Sequence, residues 1–581
     1  MTDFGTVGDI ASGAAAKSIN TAAWLASRTR ALVPQRSDLA AMRRRPGRDI
    51  LAGVTVAVVA LPLALAFGIS SGLGAGAGIL TAIVAGTLAA VFGGSNLQVS
   101  GPTGAMTVVL APIVVTYGPA GALVAGIIAG VFLVALAYAG AGRYMRYIPV
   151  PVVEGFTVGI AVIIGLQQVP AALGLRAQDT NVLGAALGAI GTWLSNPDPR
   201  APAIALAVAG SMLLAARLKP GVPVSLVAVI MATVVDQAAN LGLPAIGSVP
   251  SGLPAPSVPA IDIRAVSGLV VPAVAIAALG ALESLLSATV ADGMSVGEHH
   301  DSDRELFGQG IANIVTPLFG GIPATAAIAR TAVNVRSGAR SRLAAITHAA
   351  ALLIVVLVAS QWVSYIPLAA LAGVLIATAI FMVEASSLAA LLRSTRGDAA
   401  ALVITTGATV LFDLVTAVVL GLVVAGTFAL QQMARSVRLD ETELDHADHS
   451  EEEQALFEEH IVAYRLDGPL FFGVAHAFLL ELSEVAEVKV VVLRMSRVAT
   501  LDATGASVLA DTIKRLEGRG ITVLLSGVRP EHRVVMERMG TLAQLGSEHH
   551  LFDHTPDAIN HARSHARRLA HDASAGPTAA G

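Results

Sequence analysis

Gln98-Val-Ser-Gly-Pro-Thr-Gly-Ala-Met106 interrupts an otherwise apolar stretch with two glycines and a proline inside four positions, and a second interruption follows at Gly320-Gly-Ile-Pro-Ala-Thr-Ala-Ala-Ile-Ala-Arg330. Outward from the first break, no Asp, Glu, Lys or Arg occurs between Ile50 and Gly142. A soluble core would have to bury that whole stretch without a solvated face, whereas lipid asks for none. The wider composition agrees. The 581 residues are 54% hydrophobic and 13% charged, with mean hydropathy +0.71, against about 25% charged in ordinary globular domains. Only 28 of the 78 charged residues lie between Ile50 and Ala434, so one apolar block sits between two polar flanks. A net charge of -4 without interleaved aromatic and basic residues gives no reason to expect nucleic acid as a partner. Zero cysteines remove disulfides, thiolate metal sites and thiol nucleophiles.

Apolar runs of about 15 to 25 residues between breakers give about fourteen spans, from 51–69 to 414–432. The third is at 102–116, the fourth at 120–141, the eighth at 267–290 and the tenth at 324–337. The shorter apolar run 181–195 reads as an interfacial helix. Basic residues gather after even-numbered spans: Arg143 and Arg146, Arg217 and Lys219, Arg336, Arg340 and Arg342, and Arg393 and Arg396. By the positive-inside rule these loops and both termini face the cytoplasm. Residues 1–48, basic from Arg28 onward, read as a cytoplasmic arm without a signal-peptide pattern. The transmembrane domain is expected over 49–434, in the plasma membrane, which is the inner one in a bacterium.

The two interrupted segments are the third and tenth spans, seven apart, as expected if two seven-span halves each carry one broken helix. Paired broken helices in corresponding positions point to a midplane binding site. Half-helices starting near Pro102 and Pro323 would turn unpaired N–H groups and positive dipole ends inward, and such ends bind anions. Thr103 and Thr325 would add hydroxyl donors, and Arg330, about two turns into the second helix, a fixed positive charge. The bland alternative is that these Gly and Pro residues only kink or pack the helices. Glu283 lies near the centre of the eighth span, where an ionisable group is a functional hypothesis by default. It reads either as a proton or cation site coupled to transport or as a static partner of Arg330. Ser287 sits one helical turn along on the same face.

From 435 the character changes. Residues 435–457 read as an acidic linker. Strands at 460–466, 488–494 and 521–526 then alternate with helices at 503–517 and 531–539, making a small α/β domain over 458–562, followed by a polar tail, 563–581. His561 and His565 are spaced to share a helix face with a metal, but a solvated tail accounts for them, and neither metal nor cofactor is expected. Gly72-Leu-Gly-Ala-Gly-Ala-Gly78 imitates a phosphate loop but lacks its lysine and preceding strand, so it reads as a tight helix connection. No His-Glu-x-x-His or Gly-x-Ser-x-Gly motif appears and the membrane region offers no nucleophile beside a base, so an enzyme is not expected.

Asp49-Ile-Leu-Ala-Gly-Val-Thr-Val-Ala with Pro62, Val99-Ser-Gly-Pro-Thr-Gly104, Phe319-Gly-Gly-Ile-Pro-Ala-Thr and Ala329-Arg-Thr-Ala-Val-Asn334 together resemble the SulP family of anion transporters, and the C-terminal domain resembles its STAS domain. The likeness covers about residues 48 to 562. It implies an α-helical polytopic membrane protein of two inverted seven-span repeats forming core and gate subdomains, an elevator-like movement, and a homodimer. It implies secondary active transport of a small anion, sulfate first, with bicarbonate or a dicarboxylate as alternatives, in symport with protons or by exchange. Carried over by motif, the anion would touch Thr103, Gly104, Ala105, Thr325, Ala326 and Arg330, with Phe67 helping to line the site. Three departures bear on substrate. Leu63 stands where many members have Gln; sodium-coupled bicarbonate members have Asp where Glu283 stands and Thr near Ile328. Fewer close oxygens weaken a sodium site, which favours protons, with sodium-coupled bicarbonate uptake as the alternative. An anion channel and a STAS-based signalling scaffold are the other two classes. In Leu501-Asp-Ala-Thr-Gly505 the resemblance makes Thr504 a regulatory phosphorylation candidate, with a cytoplasmic regulatory protein as possible partner; the alternative is that Asp502 or Thr504 caps the following helix.

Overall fold

The computed structural model describes residues 27–176, 181–218, 224–260, 263–295, 298–412, 414–435, 438–441, 460–470 and 488–574. They fall into two units divided between Val423 and Val424.

The first unit is helical. A short amphipathic helix, α1 (Arg36–Arg44), is followed by α2 (Pro46–Ser70), α3 (Ala75–Phe92), strand β1 (Ser100–Gly101), α4 (Gly104–Ala139), α5 (Val150–Ala172), α6 (Val182–Ser195), α7 (Arg200–Leu218), α8 (Val224–Ala238), α9 (Ile263–Met294), α10 (Ser302–Val315), strand β2 (Thr325–Ala326), α11 (Ile328–Arg336), α12 (Leu343–Val363), α13 (Leu368–Met382), α14 (Ala385–Arg393), α15 (Arg396–Leu411) and α16 (Leu414–Arg435). Each expected span falls on one of these helices. The third and fourth share α4, which is broken at Gly118, whose φ of 72° and following Pro119 end one helix and start the next. Eight helical stretches among the described residues, the last running through α13 and α14, are long and apolar enough to cross a membrane.

The most extensive packing falls within two groups of helices, which meet where α2 packs on α8 and α13. In one, α4 packs on α9 and α10, α2 on α3 and α12, and α11 on α2 and α9; in the other, α5 packs on α13 and α15, and α7 on α8 and α13. Without water to drive association, helices in lipid close on small residues. A β-carbon on Gly130 would stand 2.7 Å from the Gly310 carbonyl, and one on Gly78 only 1.9 Å from that of Ala64. The glycine-rich 72–78 segment is the tight α2–α3 connection, with Gly72 and Gly74 both at positive φ.

The N-terminal arm is pinned to one end of the bundle. Asp38 accepts from Arg304 at 2.5 Å and lies 3.7 Å from Arg342, while Arg28 donates to Asp303 at 2.6 Å and to the Ala137 carbonyl.

In the second unit, strands β3 (Arg438–Glu441), β4 (Ile461–Leu470), β5 (Val490–Leu501), β6 (Thr522–Ser526) and β7 (Leu551–Phe552) form one sheet in that order, β3 antiparallel and the rest parallel. Alternating residues divide its faces. Val491, Leu493, Val523 and Leu525 pack with Leu509, Ile513 and Met536 of α17 (Ala503–Gly518) and α18 (Pro530–Arg538). Val490, Val492 and Leu524 pack beneath Ala558, Ala562 and Ala566 of α19 (Thr555–Ser574). The last helix thus runs past residue 563, where the sequence turns polar, because an alanine every fourth position keeps one face on the sheet.

Candidate functional site

Both breaks fold as one device. Ser100 pairs with Ala326 and Gly101 with Thr325 in an antiparallel two-residue bridge. α4 starts immediately after β1 and α11 immediately after β2, so two helix N-termini converge from opposite directions on a buried centre. Thr103 caps α4, its hydroxyl accepting from the Met106 N–H at 3.4 Å. Ala327 is the N-cap of α11. Pro323 does not start the second helix: Thr325 and Ala326 remain extended to pair with β1, and the helix begins at Ile328. Arg330 therefore stands in the first helical turn rather than two turns in, at the end where the dipole is positive and N–H groups lack carbonyl partners.

Thr103, Ala105, Thr325, Ala326 and Arg330 are all buried. The Arg330 guanidinium crosses to the other break, where Nη2 donates to the Pro102 carbonyl at 2.8 Å, while Nη1 is buried with no partner. The Glu283 carboxylate, half-buried on α9, accepts at one oxygen from Thr103 Oγ1 at 2.9 Å and from Thr325 Oγ1 at 2.5 Å. The two hydroxyl oxygens are 3.2 Å apart. No ion pair joins Glu283 to Arg330: the carboxylate is held by the threonines and the guanidinium by the Pro102 carbonyl. Phe67 and Ile164 wall the start of α4, where a β-carbon on Gly104 would meet the Phe67 ring at 3.1 Å and Ile164 Cδ1 at 2.3 Å. Phe67 belongs to one helix group and Ile164, on α5, to the other, so the centre lies where the groups meet.

Ser287 is fully buried and faces away from the centre, donating to Thr331 Oγ1 at 3.0 Å, and Thr331 in turn accepts from the Val99 N–H. It braces the bridge from behind. Ser284 does likewise, its hydroxyl accepting from the Ala326 N–H and its carbonyl from Gln98 Nε2. Sequence reasoning missed a third brace on α10. Glu305 accepts from the N–H groups of Gly94 and Ser95, Gln309 Nε2 donates to Ser100 Oγ at 2.6 Å, and Asn313 bonds both the N–H and the carbonyl of Ala324. The signal was present, since three buried polar residues at intervals of four share one helix face. His348 on α12 was also missed. It is fully buried beside Gly53 and Gly86, and both ring nitrogens lack a partner.

In the second unit Asp502 is the N-cap of α17, accepting from the Gly505 N–H at 2.7 Å. Thr504 is exposed in the first turn of that helix.

Two half-helix N-termini and an arginine turned onto one buried point of a helical membrane protein, with a carboxylate beside them, make a centre suited to a small anion. Comparison with known proteins carries this further. The sulfate permease family profile matches residues 47–405, and the STAS domain profile matches 454–558. The putative sulfate transporter YvdB of Bacillus subtilis is 36% identical over 522 residues, covering 87% of this chain and 96% of the relative. The bicarbonate transporter BicA of a Picosynechococcus species is 31% identical, covering 84% and 90%. The transmembrane domain of a cyanobacterial BicA superposes with a TM-score of 0.59 at 32% identity, covering 66% of this chain and 98% of that one. Murine Slc26a9 in its inward-facing state shares the fold at 17% identity, with a TM-score of 0.76 over 89% and 91% of the two chains. This chain belongs to the sulfate permease family.

Proposed function

We propose that the protein carries out secondary active transport of a small oxyanion, sulfate first, in symport with protons. Alternating access would come from elevator-like movement of one helix group against the other, in a homodimer of the plasma membrane with both termini in the cytoplasm. The observation that carries the reading is the shared use of Thr103 and Thr325. Their hydroxyls stand at the convergent N-termini where an anion would be held, yet both are turned onto the Glu283 carboxylate. An ionised Glu283 therefore competes with the anion for its donors and repels it. At an effective dielectric of about 20, like charges about 5 Å apart repel by about 3 kcal/mol, of the order of a hundred-fold in affinity. A proton on Glu283 removes the charge and releases the threonines, so proton and anion favour each other's binding, which is the thermodynamic requirement of symport. Backbone N–H groups of Gly104 and Ala105, the Arg330 Nη1 and the Phe67 wall complete the proposed contacts. Few charged side chains are needed because helix ends supply the field.

The similarity to BicA favours a second reading, sodium-coupled bicarbonate uptake, in which Glu283 and the threonine oxygens hold the cation. Ile328 in the first turn of α11 supplies no oxygen to such a site. Purified protein in liposomes, given labelled sulfate and bicarbonate under imposed pH or sodium gradients, decides between them. Sulfate accumulation driven by an inward proton gradient supports the proposal, and uptake that follows sodium while ignoring pH overturns it.

A further inference from the structure

Within the second unit, one arginine has no carboxylate bonded to it among the described residues. Arg494 stands on β5 two residues after Val492 and four after Val490, on the sheet face that α19 covers. It is half-buried, and its Nε and Nη1 atoms are buried with no hydrogen-bond partner. The parallel register sets Arg465 of β4 directly beside it on one side and Ser526 of β6 on the other. The Ser526 hydroxyl is 3.1 Å from that of Thr555, which opens the 20-residue helix α19. Among the described residues the charged groups acting on Arg494 are themselves basic. Desolvation and the charges of Arg465 and Arg497 together push its guanidinium below the ordinary arginine value. Asp553 and Asp557, at the start of α19, are exposed and neither is bonded to Arg494.

Like charges directly opposite on neighbouring strands are unfavourable, and buried donors of a charged group left unpaired are costly. Both costs sit at a register irregularity, between the Arg465–Arg494 and Asp467–Arg497 pairs, and such bulges re-aim side chains near sites. The place is also the one where α/β folds receive ligands, towards the carboxyl ends of parallel strands and at a helix N-terminus. We propose that Arg494, Arg465, Ser526 and the first turn of α19 form a second anion site, taking a tetrahedral dianionic oxyanion. Arg494 and Arg465 supply forked donors, Ser526 and Thr555 hydroxyls, and the helix its free N–H groups. Sulfate, inorganic phosphate and a phosphate monoester share this chemistry. The site lies wholly within the second unit and does not depend on the proposed transport mechanism.

Hydrogen–deuterium exchange of the full-length protein in nanodiscs, read peptide by peptide, tests the site. The probes are sulfate, inorganic phosphate and phenyl phosphate, with chloride at matched ionic strength as the screening control. Slower exchange around Arg494, Ser526 and Thr555 with the dianions but not with chloride is expected. It should persist in Arg330→Gln, which separates it from the membrane site. Arg494→Gln and Arg465→Gln should each weaken the apparent affinity about ten-fold or more, the scale of a charge-assisted hydrogen bond. Stronger protection by phenyl phosphate would assign the site to a phosphate carried on a larger molecule, and equal protection by sulfate and phosphate to free ions; either supports the site. Equal protection by chloride, or wild-type protection in both arginine variants, overturns it.

Discussion

The guanidinium of Arg330 and the backbone of Gly101 occupy neighbouring space so tightly that a β-carbon at position 101 would stand 2.5 Å from Nη1. The glycine is thus a condition for the arginine's reach to the Pro102 carbonyl. Gly101→Ala is expected to displace the guanidinium and cut the apparent affinity for the transported anion about ten-fold or more, since a hydrogen bond to a charged group contributes about 1.5–3 kcal/mol. Arg330→Gln should fall at least as far. Concentration-dependent uptake of labelled sulfate in liposomes measures both, and wild-type affinity in Gly101→Ala would show that the close approach is irrelevant to binding.

Glu283→Gln is nearly isosteric and keeps an acceptor for one threonine while removing the negative charge. Exchange of internal for external anion should survive and lose its dependence on pH, whereas accumulation against a gradient should disappear because no proton travels with the anion. In the wild type the proposed competition for Thr103 and Thr325 sets the expected sign: raising pH ionises the carboxylate and should weaken anion binding. Counterflow and proton-driven uptake, measured side by side from pH 5 to 8, separate the two functions.

The paired Gly–Pro interruptions were legible because they disrupt helices wherever they stand, and they located the centre. The depth of Arg330 was not legible. What delays α11 is the pairing of Thr325 with Gly101, a contact between residues far apart in the chain that no local pattern announces. The threonines' hold on Glu283, and hence its separation from Arg330, is equally non-local. Other features were written plainly and read past. Glu305, Gln309 and Asn313 recur at intervals of four, as do Ala558, Ala562 and Ala566. Polar residues near the start of a span resemble loop, and histidines and arginines between alanines resemble a solvated tail. Alternation of apolar residues sufficed for the central strands of the second unit, whereas β3 and the two-residue β7 are too polar or too short to show it.

The ion pairs of Asp38 set the acid sensitivity of the N-terminal arm. Burial raises its carboxyl, but the hydrogen bonds from Arg304 and the Gln35 N–H and the charges of Arg342 and Arg304 outweigh that and hold it below 3.8. A group depressed in the folded state stabilises above its unfolded value and loses that contribution as pH falls through the folded one. The clamp should therefore be constant from pH 6 to 8 and release only below about pH 4. Asp38→Asn should open it at neutral pH, leaving Arg304 buried without its carboxylate and Arg342 with one acidic neighbour fewer, with faster hydrogen exchange across residues 36–44. Exchange in the wild type that already rises between pH 7 and 5 would contradict the assignment.

Asn313 carries the most concentrated support of the binding centre, because one amide satisfies both the N–H and the carbonyl of Ala324 at 2.8 and 2.9 Å. Ala324 precedes Thr325, so the bond pair fixes the approach of β2 to β1. Asn313→Leu fills the same space without polar atoms and strands two buried backbone groups, each costing about 1–3 kcal/mol. A lower thermal midpoint in detergent is expected. The looser bridge should also weaken anion affinity more than it slows turnover at saturation, because Thr325 and the start of α11 would no longer be preorganised. Gln361→Leu, at the exposed end of α12, is the control, with neither effect expected. An Asn313→Leu protein with unchanged midpoint and unchanged affinity would mean that β2 is held against β1 by the strand pairing and Ser284 alone.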